Sequence, residues 1–399
     1  MFNFSPSNEQ EELLARARKI MEEDVYPAEQ HIIPGQGLPK EYLKPLQQKV
    51  KDQNLWAAHL PEEAGGLGLG AVFLGLLNEI LGTSPIGPRV FGTAAPDTGN
   101  MEILLNAATA EQKKSYLDPL INDDIRSCFA LTEKEVSGAD PTGIETTAVK
   151  DGDDYIINGE KWFISNAGLS TFTIVMAVTN PEAPRHEQAS MFIVDMDNPG
   201  LERVRDIGVM GDYSEGGHWE LKFNNCRVHK RSMLGNPGEG FKLAQKRLGP
   251  GRITHAMRWL GVMNRSFDLM VNYALKRKTR GTPLSEFQSI QNFVADSAAE
   301  IQSARLLTLH AAWKMDQGED ARKEISLIKF HGAKIINDVI NRAIQVHGAL
   351  GYSKDTPLES FYRESRAAHI YDGPDEVHRM VVAKRIFKEY KKKAEAVQV

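Results

Sequence analysis

Three runs of this 399-residue chain gather side chains that could do chemistry. The run Ile370-Tyr371-Asp372-Gly373-Pro374-Asp375-Glu376-Val377-His378-Arg379 sets acids, a phenol and an imidazole about an Asp-Gly-Pro turn signal. On composition alone the turn's aspartate reads as a solvated acid, since buried acids are rare. The other two runs are Phe129-Ala130-Leu131-Thr132-Glu133-Lys134-Glu135-Val136-Ser137-Gly138-Ala139-Asp140 and Lys161-Trp162-Phe163-Ile164-Ser165-Asn166-Ala167-Gly168. Singly, each is a strand edge with hydroxyls. Together they set small polar donors beside an aromatic on one sheet face. That suits a flat heteroaromatic that must be both stacked and hydrogen-bonded.

Other motifs are absent or out of context. Gly66-Leu67-Gly68-Leu69-Gly70-Ala71 has the G-x-G-x-x-A pattern, but Pro61-Glu62-Glu63 stands where a dinucleotide fingerprint needs a strand. It reads as a turn between helices. There is no H-E-x-x-H, no cysteine pair at ligand spacing, no G-x-S-x-G elbow and no Walker loop. His331 and His347 fall on helical segments and read as packed residues, so no metal is expected. Lys plus Arg is 48 against 53 Asp plus Glu, a net charge of −5, which gives no large positive field for nucleic acid. Cys128 and Cys226 cannot make a disulfide scaffold and fit a reducing compartment. The apolar run around Ala71 to Leu77 is too short to span a bilayer. Neither terminus reads as a targeting or lipidation signal, so a cytoplasmic protein without membrane association is expected.

The elements that must position these runs change period along the chain. Residues 1–127 read as helices, with Ser7 and Gln10 at capping-box spacing and helical stretches from Leu38 to Val50 and Ala71 to Leu81. Residues from about 128 to 236 turn to period two, with turns expected at Asp151-Gly152 and Asn158-Gly159. Strand-like runs follow at Phe172 to Thr179, Ser190 to Asp195 and Trp219 to Phe223, which together argue for a β barrel or sandwich. From 239 the helical period returns. Met257, Leu260, Phe267, Val271 and Ala274 mark one stripe; Ile328, Ile335, Val339, Ala343 and Val346 mark another. Four segments, 240–278, 286–316, 320–350 and 357–390, suggest an antiparallel bundle.

In order and spacing, seven pieces of this sequence resemble the acyl-CoA dehydrogenase family, over nearly the whole chain. They are Leu60-Pro61-Glu62-Glu63 with Gly65-Gly66-Leu67-Gly68, Leu131-Thr132-Glu133, Gly159-Glu160-Lys161-Trp162-Phe163-Ile164-Ser165-Asn166, Gly238-Glu239-Gly240-Phe241, Lys278-Thr279-Arg280-Gly281, Gln345-Val346-His347-Gly348 and Tyr371-Asp372-Gly373. The resemblance implies an α+β multidomain fold: an N-terminal helical domain (1–127), a middle β-barrel domain (128–238) and a C-terminal four-helix bundle (239–399). It also implies a reaction. An acyl thioester loses an α-proton to a carboxylate and a β-hydride to N5 of FAD, leaving the trans-2-enoyl-CoA. The cofactor carries the hydride chemistry; the protein supplies position, a base and polarisation of the thioester oxygen.

By the same resemblance, Asp372 stands at the position of the family's usual catalytic glutamate. The alternative base position falls on Gly251, which has no side chain to serve. Aspartate is one methylene shorter, and a misplacement of about 1 Å can cost about a hundredfold in rate. Arg252 matches the family's arginine beside the base. Phe129, Leu131, Thr132, Phe163, Ile164 and Ser165 match contacts to the isoalloxazine and ribityl. Arg277, Thr279, Gln288, Gln345 and Gly348 match pyrophosphate and adenosine contacts, some of them reaching a neighbouring subunit. That implies a homodimer or homotetramer. Pro374 and Glu376 stand where the family often has Thr and Gln against FAD. Ser137 or Ala139 stands where a serine touches the pantetheine of the substrate. These departures resemble the branch that includes kinase-fused animal members, linked to long or branched acyl-CoAs and to 4-hydroxyacyl-CoAs. An electron-transfer flavoprotein is the implied acceptor. Three rivals stay open: a flavin oxidase similar to nitroalkane oxidases, a nucleic-acid-binding flavoprotein relative, and a catalytically dead scaffold.

Overall fold

Ser7 opens the first helix as its spacing predicts. In the computed structural model its Oγ accepts from Gln10 N at 3.2 Å, and Gln10 Oε1 accepts from Ser7 N at 3.0 Å. The structure describes residues 3–211 and 215–397, with the backbone alone at 248–250 and 397. The longer helices, in chain order, are α1 (Asn8–Ile20), α2 (Lys40–Asp52), α3 (Gly70–Leu81), α4 (Asp97–Ala107), α5 (Gly240–Lys276), α6 (Gln288–Asp316), α7 (Arg322–His347), α8 (Leu358–Ser365) and α9 (Asp375–Val397). Between α4 and α5 lie β1 (Ser127–Ala130), β2 (Thr147–Asp151), β3 (Asp154–Ser165), β4 (Phe172–Val178), β5 (Ala189–Asp195), β6 (Leu201–Asp206), β7 (His218–His229) and β8 (Met233–Leu234). The mixed α+β order of helices, strands and helices is the one read from the sequence. Packing groups the chain into two units, each built from separate stretches.

One unit comprises Ala28–Gly68 and Arg89–Leu248. Its eight-stranded sheet runs β6-β7-β3-β2-β4-β5-β8, with β1 beside β4. β1 and β2 meet β4 in parallel; the other pairs are antiparallel. β4 shows why its run is so uniformly apolar. Phe172, Ile174 and Met176 pack with Leu104, Leu117 and Met191, while Val175 and Ala177 pack on the opposite face with Ile157, Phe192 and Phe223. A strand covered on both faces needs no polar alternation.

Two sequence expectations change here. Asp151-Gly152 does turn the chain, between β2 and β3. Asn158-Gly159 does not: it lies within the twelve-residue β3, at a register shift against β7. Asn158 Oδ1 accepts from Asn225 N on β7 at 2.7 Å. Gly159 is there for closeness: a Cβ would stand 2.8 Å from Thr146 Cα. An Asn-Gly pair marks a turn only when no neighbouring strand needs its space.

The other unit comprises Met1–Pro27, Leu69–Pro88 and Gly249–Val399. Met257, Leu260 and Ala274 on α5 are buried, as are Ile328, Ile335, Val339, Ala343 and Val346 on α7, which is the striping read from the sequence. Gly82 and Gly261 let α3 and α5 touch: a Cβ on either would fall 2.4 Å from main-chain atoms of the other helix region. The segment expected as one helix over 357–390 is broken. α8 ends at Ser365, a 3-10 turn covers Arg366–His369, and α9 starts only at Asp375. The break carries Tyr371, Asp372 and Gly373.

Candidate functional site

Asp372 occupies the left-handed region at φ 55° and Gly373 follows at φ 97°. Aspartate is among the few residues that tolerate this region without being glycine. The fold holds the turn by its main chain. Arg252 Nε and His378 Nε2 each donate to the Asp372 carbonyl at 3.1 Å. Burial pushes the His378 imidazole down to about 4, helped by the positive Arg252 and Lys329. A neutral ring with its proton on Nε2 is therefore the donor. Lys329, wholly buried, donates to the carbonyls of Ala368 and, at 3.4 Å, Gly373. Its ammonium lies 5.5 Å from the Trp259 ring centroid and 5.3 Å from that of Tyr371. Trp259 Nε1 donates to Tyr371 Oη at 2.7 Å, and burial keeps that phenol protonated. The Asp372 carboxyl is 21% exposed, with Oδ2 3.5 Å from His255 Nε2. Burial holds the Arg252 guanidinium below its ordinary value, partly offset by the negative Asp372.

α5 explains this grip. Arg252, His255 and Trp259 recur at i, i+3 and i+7, one face of a helix. Each of the three meets Tyr371 or Asp372. The sequence reading singled out Arg252 alone. His255, Trp259, Lys329 and His378 were missed as partners, although the helical spacing from Arg252 could have found the first two.

In the sheet-bearing unit, Phe129 is the penultimate residue of β1, and Leu131 and Thr132 follow the strand. Trp162 N donates to Thr132 O at 2.8 Å, and Thr132 Oγ1 donates back to Trp162 O. β3 shifts register against β7 between Lys161 and Ile164. Phe163, within that bulge, takes φ 57° and is 44% exposed. Trp162 meets its edge at 5.2 Å between centroids, and Arg205 and Lys134 lie over the indole at 5.2 and 5.6 Å. Ser165 Oγ is 2.9 Å from His218 Nδ1, and burial lowers that imidazole's pKa. Arg247 lies 4.4 Å over the Phe129 ring. Ile164 is 1% exposed, with its side chain packed in the sheet's core. Aromatic faces, hydroxyls and a bulged main chain fit a flat heteroaromatic ring system with polar edges, which is the chemistry of FAD's isoalloxazine.

Beneath this edge is an ion pair that the sequence reading quoted without a role. Lys161, wholly buried, donates to Glu133 Oε1 at 2.8 Å and to Leu131 O at 3.0 Å. Glu133 also accepts from Glu145 N at 2.7 Å and Thr146 N at 3.0 Å. Burial pushes Lys161 down to about 8, while Lys161 and the two main-chain amides hold Glu133 below the usual carboxylate range against burial. The pair ties the Leu131-Thr132 segment to β3.

Ser137 and Ala139 sit in an exposed loop, where Ala139 N donates to Ser137 Oγ at 3.4 Å. Pro374 immediately precedes α9, and Glu376 lies in its first turn. Arg277, Thr279, Gln288, Gln345 and Gly348 are all exposed on their unit. Among the described residues, no group of three or more His, Cys, Asp or Glu is placed to hold a metal ion, and no helix is long and apolar enough to cross a membrane.

Comparison with known proteins agrees along the length of the chain. Residues 7–124, 128–226 and 238–387 match the models of the acyl-CoA dehydrogenase N-terminal, middle and C-terminal domains. FadE2 of Mycobacterium tuberculosis, named as a probable acyl-CoA dehydrogenase, is 45% identical over 347 residues, 86% of this chain and 84% of its own. Acyl-CoA dehydrogenase family member 11 of mouse is 39% identical over 96% of this chain, which spans about half (51%) of that protein's length. The solved structure of butyryl-CoA dehydrogenase from Megasphaera elsdenii superposes with a TM-score of 0.84 at 28% identity, over 97% of this chain and all of that one.

Proposed function

The chain belongs to the acyl-CoA dehydrogenase family, and on that premise we propose that it dehydrogenates an acyl-CoA thioester to the trans-2-enoyl-CoA, with Asp372 as the α-proton base. When bound, FAD supplies the acceptor for the β-hydride. The Phe129, Leu131, Thr132 and Phe163 to Ser165 edge is the part of this chain that would hold its ring, through main-chain groups, hydroxyls and aromatic faces. Arg277, Thr279, Gln288, Gln345 and Gly348 would hold its phosphates and adenosine. Their exposure supports sharing those contacts with a second copy in a homodimer or homotetramer. An electron-transfer flavoprotein is the proposed electron acceptor.

The observation that carries this reading is the broken C-terminal helix. A left-handed aspartate is held by two side-chain donors on its own carbonyl, with its carboxyl one-fifth exposed. A solvated turn acid needs no such grip. Fixing the main chain on both sides of the side chain also meets the demand of a base one methylene short, whose reach depends on backbone position.

The test is anaerobic bleaching of the purified yellow protein by a panel of acyl-CoA thioesters. Wild type bleaches with at least one. Asp372→Asn keeps its flavin and slows bleaching by about 10²- to 10⁴-fold, the range for losing a positioned base. Bleaching at the wild-type rate by Asp372→Asn refutes the base assignment. Oxygen consumption with nitroalkanes, and no bleaching by any thioester, turns the reading to an oxidase.

A further inference from the structure

We propose that His255 is the outlet for the proton that Asp372 takes from substrate. The inference rests on the reading of Asp372 as the base. A base that has taken a carbon-bound proton must lose it before the next turnover, and the carboxyl's own opening to water is about one-fifth of its side chain. A thioester seated with its α-carbon against that carboxyl covers the opening. The proton then needs a second group that touches the carboxyl and also meets solvent.

Among the described residues, the side chains of Arg252, His378, Lys329, Asp375 and His255 bring titratable or charged groups near Asp372. Arg252 donates to its carbonyl and stays a cation. His378 donates to the same carbonyl and is 2% exposed, so it offers no way out. Lys329 is wholly buried, with its ammonium turned to the Ala368 and Gly373 carbonyls. Further along α9, Asp375 is bonded to His369 Nδ1 at 2.7 Å rather than to Asp372. His255 differs from all of these. Its Nε2 lies 3.5 Å from Asp372 Oδ2, and its side chain is 24% exposed. Its ring is kept in place against Tyr371, 5.1 Å between centroids. Hydrogen bonds at catalytic groups are often long in ligand-free structures and tighten when substrate binds.

The steps balance. The α C–H bond breaks as Asp372 Oδ–H forms, and the electron pair stays with the substrate as its double bond develops. With neutral His255 carrying its proton on Nδ1, the Asp372 O–H bond then breaks as Nε2–H forms. The imidazolium gives its Nδ1 proton to water, and the other tautomer returns by exchange. Asp372 is ionised again, and one proton has reached solvent.

The experiment uses the flavin-loaded protein and an α-deuterated 3-thiaacyl-CoA, which has no β-hydrogen to give. Loss of deuterium to water therefore reports proton traffic without hydride transfer. Expected for His255→Gln is washout slowed about tenfold or more, while the first-turnover bleaching rate with an ordinary acyl-CoA falls only about threefold, because Asp372 can still take one proton. Expected for His255→Ala is the same defect, relieved by added imidazole. Flavin content and thermal midpoint are measured on both variants, so a misfolded one is replaced by His255→Asn. Wild-type washout in His255→Gln overturns the proposal. So does bleaching that falls in step with washout, since His255 would then only place the carboxyl. A wild-type protein that neither bleaches nor washes out defeats the dehydrogenase reading itself, and wild-type washout in Asp372→Asn defeats the base assignment.

Discussion

Each of the two regions is built around a buried lysine, and the two lysines do different work. Lys161 and Lys329 are both fully shielded, and burial pushes both down to about 8. Lys161 meets a carboxylate at 2.8 Å, and that carboxylate has two further main-chain donors. It is a closed ion pair that clamps one strand edge to another. Among the described residues, Lys329 has only carbonyl oxygens within hydrogen-bond reach and two aromatic rings beside it, with the negative charges of Asp372 and Asp375 acting through space. Its donors fix the main chain on either side of Tyr371 and Asp372. A buried cation can thus secure a strand edge by pairing or hold the backbone of the proposed base, and the two uses should fail differently.

The largest separation is expected in stability. Lys161→Met strips a buried carboxylate of its counter-ion, and breaking such a pair from one side costs about 3–5 kcal/mol. Urea or guanidinium unfolding monitored by circular dichroism measures it. The Glu133 carboxyl, held below its ordinary 4.5, contributes stability that is complete above pH 4.5 and lost as pH falls through its lower folded value. Glu133→Gln should flatten that acid limb. A Lys161→Met protein within about 1 kcal/mol of wild type would show that the pair is dispensable and remove one side of the contrast.

A smaller effect, set by pH, belongs to the turn. His378 titrates near 6.5 when unfolded and at about 4 when folded. Between these values the unfolded chain binds the extra proton, so stability is whole above pH 6.5 and falls toward pH 4, by about 3 kcal/mol at the end of the window. Its group sits among Arg252, Lys329, Asp372 and Asp375, and His378→Gln keeps a donor for the carbonyl without the titration. Equilibrium unfolding at pH 7 and pH 4.5 should show the variant losing less than wild type. An equal loss in both proteins means that the imidazole is not held neutral.

How far each region was legible follows from the kind of signal that carries it. Periodicity marked the buried stripes of α5 and α7, and the capping box at Ser7 and Gln10 was readable because its bonds span only three residues. Asn158-Gly159 misled because its local meaning, a turn, lost to a tertiary demand: β7 passes on one side and Thr146 leaves no room for a Cβ on the other. The break at 366–374 hid inside an apolar helical pattern, although Gly373-Pro374 stood in view. Asp372, Arg252 and Thr132 stand in motifs that the sequence shows, whereas Lys329 lies 43 residues before Asp372 on another helix, a pairing no local pattern encodes. His255 and Trp259 fall between these cases, since their spacing from Arg252 was there to be read.

The smallest change in stability, with a change in rate, should come from Lys329→Met. No carboxylate within bonding distance is orphaned, and the thioether fills much of the same volume between the two rings. Two carbonyls lose a donor, a cost of about 1–3 kcal/mol each where no water replaces it, while relief from burying an ammonium offsets part of that. The net expectation is a change of about 1 kcal/mol. The turn, however, loses the bonds that flank Asp372, and a base displaced by about 1 Å can lose up to about a hundredfold in rate. Bleaching by acyl-CoA should therefore slow about ten- to a hundredfold in a protein that unfolds almost where wild type does. If stability instead drops by as much as in Lys161→Met, the ammonium is bound as tightly to its surroundings as an ion pair, and the distinction between securing and aiming fails. If stability and rate both stay at wild-type values, Arg252 and His378 alone hold the turn, and Lys329 is only a tolerated charge.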